Sequence, residues 1–272
     1  MVYSQTFDAT GARTAATLQA DKTTTGQTAL ANGFGSGVSL SYDATTQGYT
    51  VRDASGASAT FLPATKSSDP NETNAKITTF NQAAGGGQDK LVLFNPGAGN
   101  TTLALSYVSY GAWRHSVSNG TTADLSFQYF VYGIRQDANA PSTGSGSYAT
   151  TVEGIWNNPE GIYVLAGTSS LTADFTAKTV ATTLQLDGTS VANGTAKSLG
   201  RFDGTGSIAA LGGGFAGNFT HVGTDADGNV FNGSFAGAFF GPQGQEVGYT
   251  FSLSDPNGRG GTAAGAVVGK AN

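Results

Sequence analysis

Phenylalanine and glycine alternate along one face of the segment Phe231, Gly233, Phe235, Gly237, Phe239. Few folds accommodate that pattern. Such a strand must look into a narrow interior, where each ring needs an empty position opposite it, and glycine also relaxes the tight bend of a small barrel. Neighbouring segments keep the same two-residue period. Leu171, Ala173 and Phe175 share a face, as do Val180, Leu184 and Leu186. So do Phe215, Gly217, Phe219 and His221, and again Val247, Tyr249, Phe251 and Leu253. About eight such segments follow residue 144, joined mostly by turns of hairpin length such as Asp225–Asn229. That spacing predicts a closed antiparallel eight-stranded barrel whose interior is filled by side chains. An outer-membrane barrel shares the period but needs a lipid-facing apolar band with aromatic girdles. Here the second face carries Thr, Asp, Asn, Ser and Gln, which suits water, and the chain ends VVGKAN without a terminal aromatic residue.

The first half reads as shorter alternating segments. Ser36–Tyr42, Gly48–Asp53 and Ala57–Leu62 form a three-strand meander, and Ser67–Asn74 is a polar loop. Lys90–Phe94 and Leu103–Tyr110 are predicted strands split by the turn Asn95-Pro96-Gly97, and Leu125–Gly133 is the most aromatic strand of this half. The stretch Asp137–Gly146, rich in Pro, Ser and Gly, is the predicted boundary between a β-rich unit at 1–142 and the barrel at 143–272. The chain is thus expected to be all-β, with an amino-terminal β-rich handle domain followed by the barrel.

Composition supports an ordered, strand-rich chain. Charged residues are only 11% of the 272, while hydrophobic residues reach 38% and glycines number 41, the opposite of a disordered tract. A net charge of −5 with no basic stripe gives no support to nucleic acid or an anionic membrane as partner. With no cysteine there is no disulfide, thiolate metal site or cysteine nucleophile. No apolar run is long enough for a membrane-crossing helix. A Met directly before Val2 reads as a start placed on a trimmed mature chain, whose leader, and any lipidated cysteine, would have stood upstream.

The segment Asn232–Leu253, NGSFAGAFFGPQGQEVGYTFSL, resembles the last strands of the transferrin-binding protein B-like family of bacterial surface lipoproteins. The matching pieces are Gly233–Phe235, Phe239–Pro242, Glu246–Gly248, Tyr249–Leu253 and the Gly-Ala-rich Gly265–Lys270. Ser106–Trp113, Phe130–Gly133 followed by Ala140-Pro141 and Gly144–Tyr148, and Leu171–Phe175 fit as well. The resemblance covers most of the chain after residue 36, and only the stretch from Phe-Phe-Gly-Pro to Glu-Val-Gly is specific. It implies a handle plus an eight-stranded barrel, export across both membranes of a Gram-negative bacterium, and an outer-membrane translocator or TonB-dependent receptor as partner. It places the protein on the extracellular face of the outer membrane as a lipoprotein, or secreted, and puts ligand contacts in the handle. The transferrin-binding members have two lobes and this chain has one, so transferrin is not the expected ligand.

Enzymatic chemistry finds no support in the residues. Neither of the two histidines, His115 and His221, lies in a His-Glu-x-x-His helix, and there is no nucleophile elbow or phosphate loop. Gly212, Gly214 and Gly217 match Gly-x-Gly-x-x-Gly but lead into a strand pattern, whereas a dinucleotide fingerprint opens a helix. Asp225-x-Asp227-Gly228-Asn229 outlines a calcium loop but has Ala236 where the bidentate Glu belongs, so a hairpin turn is expected. His221, on the face of Phe215 and Phe219, reads as a structural histidine inside the barrel near a rim. His115 follows Tyr110-Gly111-Ala112-Trp113-Arg114 and precedes the polar stretch Ser116–Thr122, which places it at a strand end. There a neutral imidazole could ligate haem iron, with Tyr110 or Trp113 on the porphyrin and Arg114 near a propionate. His115, Tyr110, Trp113 and Arg114 are therefore the candidate ligand-binding residues, with no catalytic or metal set beside them. The bland alternatives are a surface His115 and a core Trp113.

Two functions follow as expectations. One is a monomeric, non-enzymatic surface protein that captures haem, iron or another small nutrient for an outer-membrane receptor. The other is a colonisation factor that binds a host- or cell-surface protein through its polar loops.

Overall fold

A computed structural model describes residues 3–136, 142–209 and 213–272. Every regular element in it is a β-strand apart from one 3-10 turn at Pro63–Thr65. The first nine strands are β1 (Gln5–Leu18), β2 (Thr24–Asn32), β3 (Val38–Asp43), β4 (Gly48–Arg52), β5 (Ser58–Phe61), β6 (Ile77–Ala84), β7 (Gly87–Phe94), β8 (Val108–Asn119) and β9 (Thr122–Gly133). They form one antiparallel sheet in the order β5-β4-β3-β1-β9-β8-β7-β6, with β2 paired to the far end of β1. The sheet curls until its edges nearly meet, joined by a bridge between Lys66 and Phe80 and by the Ser67 N–H donating to Thr79 O at 2.8 Å. The remaining eight strands, β10 (Ser145–Asn158), β11 (Gly161–Asp174), β12 (Thr179–Ser190), β13 (Ala196–Ile208), β14 (Gly214–Val222), β15 (Asn232–Phe240), β16 (Glu246–Ser254) and β17 (Thr262–Ala271), close into a barrel.

The Phe/Gly alternation has the meaning expected of it. Phe235 and Phe239 lie in the barrel core with Phe215, Phe219, Phe175 and Tyr249, at ring-centroid separations of 4.9–5.6 Å for the closest pairs. A Cβ on Gly237 would stand 2.4 Å from Tyr249 Cβ and 2.8 Å from Phe215 Cζ, and one on Gly204 would stand 2.7 Å from Phe219 Cε1. Two buried polar tips find partners: Trp156 Nε1 donates to Gly260 O at 2.6 Å, and the Tyr249 hydroxyl pairs with Thr182 Oγ1 at 2.7 Å. The barrel is a filled core.

Several local expectations need correction. The outer barrel wall is polar along β11 and β12, with Thr168, Ser170, Thr172 and Asp187 exposed, but it is not wet all round. Ile155, Ala238, Phe240, Ala264, Ala266 and Val268 form a second apolar layer with Ala12, Val108, Tyr110, Tyr129 and Val131 of the first half. β17 is buried over Thr262–Gly269 because its small outward residues lie under that sheet. Leu103–Tyr110 is a strand only from Val108 onward. The N–H groups of Ser106, Tyr107 and Val108 turn instead to the Glu246 carboxylate, at 2.7, 2.7 and 2.9 Å. The stretch Ser116–Thr122 is not a loop: β8 runs on to Asn119 and pairs with Thr122 across a tight turn at Gly120. Asp137–Ala140, Pro141 and Gly212 lie outside the described residues.

Two of the pieces of sequence that carry the family resemblance meet at this interface. Glu246, 1% exposed, holds the backbone at the head of the Ser106–Trp113 segment. Phe239 points into the barrel core, while Phe240 points out against Phe34, 6.0 Å away. Gly248 leaves room for the first half, since a Cβ there would fall 2.5 Å from Val131 Cγ1 and 2.9 Å from Val108 Cγ2. Threonines complete the seam: Thr10 pairs with Thr250 at 3.0 Å, and Thr14 with Thr262 at 2.8 Å.

Candidate functional site

The curled sheet of the first half leaves an open cleft of about 500 Å³ at one end. That lies within the ~300–1,000 Å³ range of small-ligand sites. Its walls come from strands far apart in sequence. β1 supplies Phe7, β6 supplies Phe80 and β9 supplies Tyr132, all from the concave face. Tyr42 and Tyr49 sit directly opposite one another across the β3–β4 hairpin, with ring centroids 5.1 Å apart. Tyr49 continues to Phe80 at 5.7 Å, and Phe7 meets Tyr132 at 5.5 Å. These contacts make an aromatic wall, with Tyr42, Phe80 and Tyr132 buried and Phe7 and Tyr49 partly open to the cleft.

The floor is the segment 106–109, fixed from behind by the Glu246 carboxylate. Ser109 Oγ donates to Phe94 O at 2.6 Å, and Thr78 Oγ1 donates to Asn95 Oδ1 at 2.8 Å. Burial raises the pKa of Tyr49, helped by the neighbouring Tyr42, and raises that of Tyr132 above the ordinary phenol range. Both phenols are therefore neutral hydroxyls at physiological pH, able to donate as well as accept. Among the described residues no carboxylate lines the cleft, and Lys66 is the one charged lining residue. The cleft is built to hold an apolar body with a few polar contacts. It contains no nucleophile–base pair, and among the described residues no group of three His, Cys, Asp or Glu side chains could hold a metal ion.

The four residues singled out from sequence are not brought together. Trp113 and His115 point to the concave side of β8, whereas Tyr110 and Arg114 alternate to the opposite face. Trp113 is core, and its Nε1 donates to Asp89 Oδ1 at 2.9 Å. His115 Nδ1 lies 2.7 Å from the same oxygen, so the ring donates from Nδ1 to the carboxylate. Tyr110 is buried against Phe94 with centroids 4.9 Å apart. Arg114 Nε is buried without a hydrogen-bond partner among the described residues. The recess beside His115 measures about 270 Å³ and includes Arg13 and Asp124, at the end of the strands away from the aromatic cleft. With Tyr110 and Arg114 facing the barrel, these residues do not fit a haem held in the expected way.

His221 is in the barrel, as its face predicted, stacked on Phe202 at 4.4 Å and accepting the Phe231 N–H on Nδ1 at 3.2 Å. Desolvation lowers its pKa. Asp225 Oδ1 accepts the N–H groups of Asp227 and Asn229 at 2.9 and 2.7 Å, and Asp227 pairs with Lys197 at 2.5 Å. Those contacts are what a hairpin turn needs. Sequence reading missed the cleft because its aromatic residues are scattered. The available signal was Tyr42 and Tyr49 flanking one short turn, which forces a cross-strand pair.

No family model and no curated protein matches the chain. Solved structures do. A transferrin binding protein B double mutant from Haemophilus parasuis matches with a TM-score of 0.49 and 14% identity, over 98% of this chain and 76% of that one. The isotype 1 transferrin binding protein B of serogroup B Neisseria meningitidis gives 0.47 and 18%, over 96% and 43%. HpuA from Kingella denitrificans, solved in complex with human haemoglobin, gives 0.38 and 16%, over 99% and 87%. At these scores none of the three carries an argument about what this chain binds.

Proposed function

We propose that this chain is a non-enzymatic binding protein of the bacterial cell surface that takes a small ligand in the aromatic cleft of its first half. On this reading residues 1–142 form the binding unit, and the barrel at 143–272 is the scaffold and export module. The observation that carries it is the cleft: about 500 Å³, walled by Phe7, Tyr42, Tyr49, Phe80 and Tyr132. The barrel interior is filled with side chains, and the recess of about 660 Å³ at one end of β10–β13 has no aromatic side chain among its described lining residues. The sequence resemblance supports export and a surface location, as a lipoprotein or a released protein, and an outer-membrane receptor as the acceptor of the ligand.

The neutral fluorescent probe N-phenyl-1-naphthylamine tests this. It should bind once per chain, and Tyr49→Ala should weaken it about tenfold, the ~1.4 kcal/mol of one lost aromatic contact. Val164→Ala, on the exposed barrel wall, should leave binding unchanged. Probe binding indifferent to Tyr49→Ala would place the site elsewhere.

A second reading has its own observation. Leu62, beside the lining residue Pro63, and Ile134, on the rim, are 44% and 58% exposed. An apolar rim of this kind suits insertion of a side chain from a host- or cell-surface protein. Leu62→Asp should abolish such an interaction and leave small-probe binding intact.

A further inference from the structure

The charges around the cleft narrow the ligand's chemistry. The chain carries a net charge of −5, yet among the described residues the cleft lining contains no Asp or Glu and one cation, Lys66. Four carboxylates on the flanking segments are already engaged. Glu72 binds Lys90 at 2.6 Å and Asn81 at 3.0 Å. Asp43 Oδ1 accepts the Thr45 N–H at 2.7 Å, Asp69 Oδ1 accepts the Asn71 N–H at 2.8 Å, and Glu246 is filled by three N–H groups. Lys66 has no ion-pair partner among the described residues.

The root of Lys66 is fixed although its side chain is exposed. Its N–H donates to Pro63 O at 3.1 Å, it bridges to Phe80, and the next N–H, of Ser67, donates to Thr79 O at 2.8 Å. This is the seam where the curled sheet nearly closes. Lys66 is thus rooted at the opening of an aromatic cleft whose described lining holds hydroxyl donors and no acid.

We propose that the ligand is an amphipathic anion, an apolar body seated on the aromatic wall with a single carboxylate-like head paired to Lys66. The proposal rests on the cleft being the binding site. An alkyl chain and an aromatic ring system share this chemistry, and the ring contacts along Phe7, Tyr49 and Phe80 suit either one. A cationic amphiphile would place an ammonium beside Lys66 with no carboxylate to neutralise it.

Calorimetric titration with dodecanoate, dodecanol and dodecylamine, each below its aggregation concentration, tests the head group, and 2-naphthoate against dodecanoate separates ring from chain. The proposal expects dodecanoate to bind about fivefold more tightly than dodecanol, the size of one exposed ion pair, with dodecylamine weakest. Added salt should narrow the gap. Lys66→Gln should bring dodecanoate down to dodecanol, and Lys66→Arg should keep the preference. Equal affinities for all three, each still lowered by Tyr49→Ala, would overturn the anion proposal and leave the cleft as the site. Failure of every ligand to bind would overturn both.

Discussion

Replacing Glu246 with Gln tests how the two halves are held together. The side chain is 1% exposed, and its oxygens divide three backbone donors: Oε1 takes Ser106, and Oε2 takes Tyr107 and Val108. In its better orientation, glutamine keeps the carbonyl oxygen on Tyr107 and Val108 and turns its NH2 toward the Ser106 N–H. One charge-assisted hydrogen bond is lost, costing about 1.5–3 kcal/mol, and a buried donor then faces another donor. The two surviving bonds drop from charged to neutral, roughly halving their strength. The sum is on the order of 3–5 kcal/mol, the usual cost of breaking a buried charged contact. The chain supplies its own reporters, Trp113 in the core of the first half and Trp156 in the core of the barrel. Urea unfolding followed with Trp113→Phe and Trp156→Phe backgrounds therefore reads each half separately. The parent should show one coincident transition, and Glu246→Gln should lower the stability reported by Trp113 by that amount. A change below about 0.5 kcal/mol on both reporters, the range of an ordinary surface substitution, would refute the clamp.

Two further changes probe the barrel. Gly237→Ala should destabilise it by about 1–3 kcal/mol or more, because the added Cβ would sit 2.3 Å from Gly248 O as well as against Tyr249, and urea midpoints read by Trp156 will show it. His221 titrates low in the folded state because burial disfavours its charged form, so below about pH 6.5 the unfolded chain takes up the proton more readily. Stability should fall as pH drops from that point toward the depressed folded value, and melting temperatures of His221→Gln should lack that segment of the decline.

The barrel was legible because its signal is strong and local. Rings and glycines alternate within single strands, so each strand declares its face without reference to any other. β1 escaped for the opposite reason. It lies between the first-half core and the barrel wall, so both faces are buried, and its sequence QTFDATGARTAATL uses Thr, Ala and Gly in place of large apolar residues. Gly11 shows how little room there is, since a Cβ there would come within 2.4 Å of Val38 Cγ2. The Glu-Val-Gly piece could be recognised from sequence as part of a family pattern. That its carboxylate reaches residues 106–108 depends on a contact spanning about half the chain. The cleft was hidden for the same reason, because Phe7, Tyr42, Tyr49, Phe80 and Tyr132 converge only when the nine-stranded sheet curls. His115 and Tyr110 looked like partners at a separation of five, but a strand sends residues an odd number apart to opposite faces.

The most direct test of where this protein binds is a map of backbone amide chemical shifts during titration with N-phenyl-1-naphthylamine. Changes should concentrate at Tyr42–Tyr49, Phe80, Ser106–Ser109 and Tyr132–Ile134, with β11–β14 unmoved. Shifts centred on those barrel strands, or no shifts at a probe concentration that saturates fluorescence, would contradict binding in the cleft.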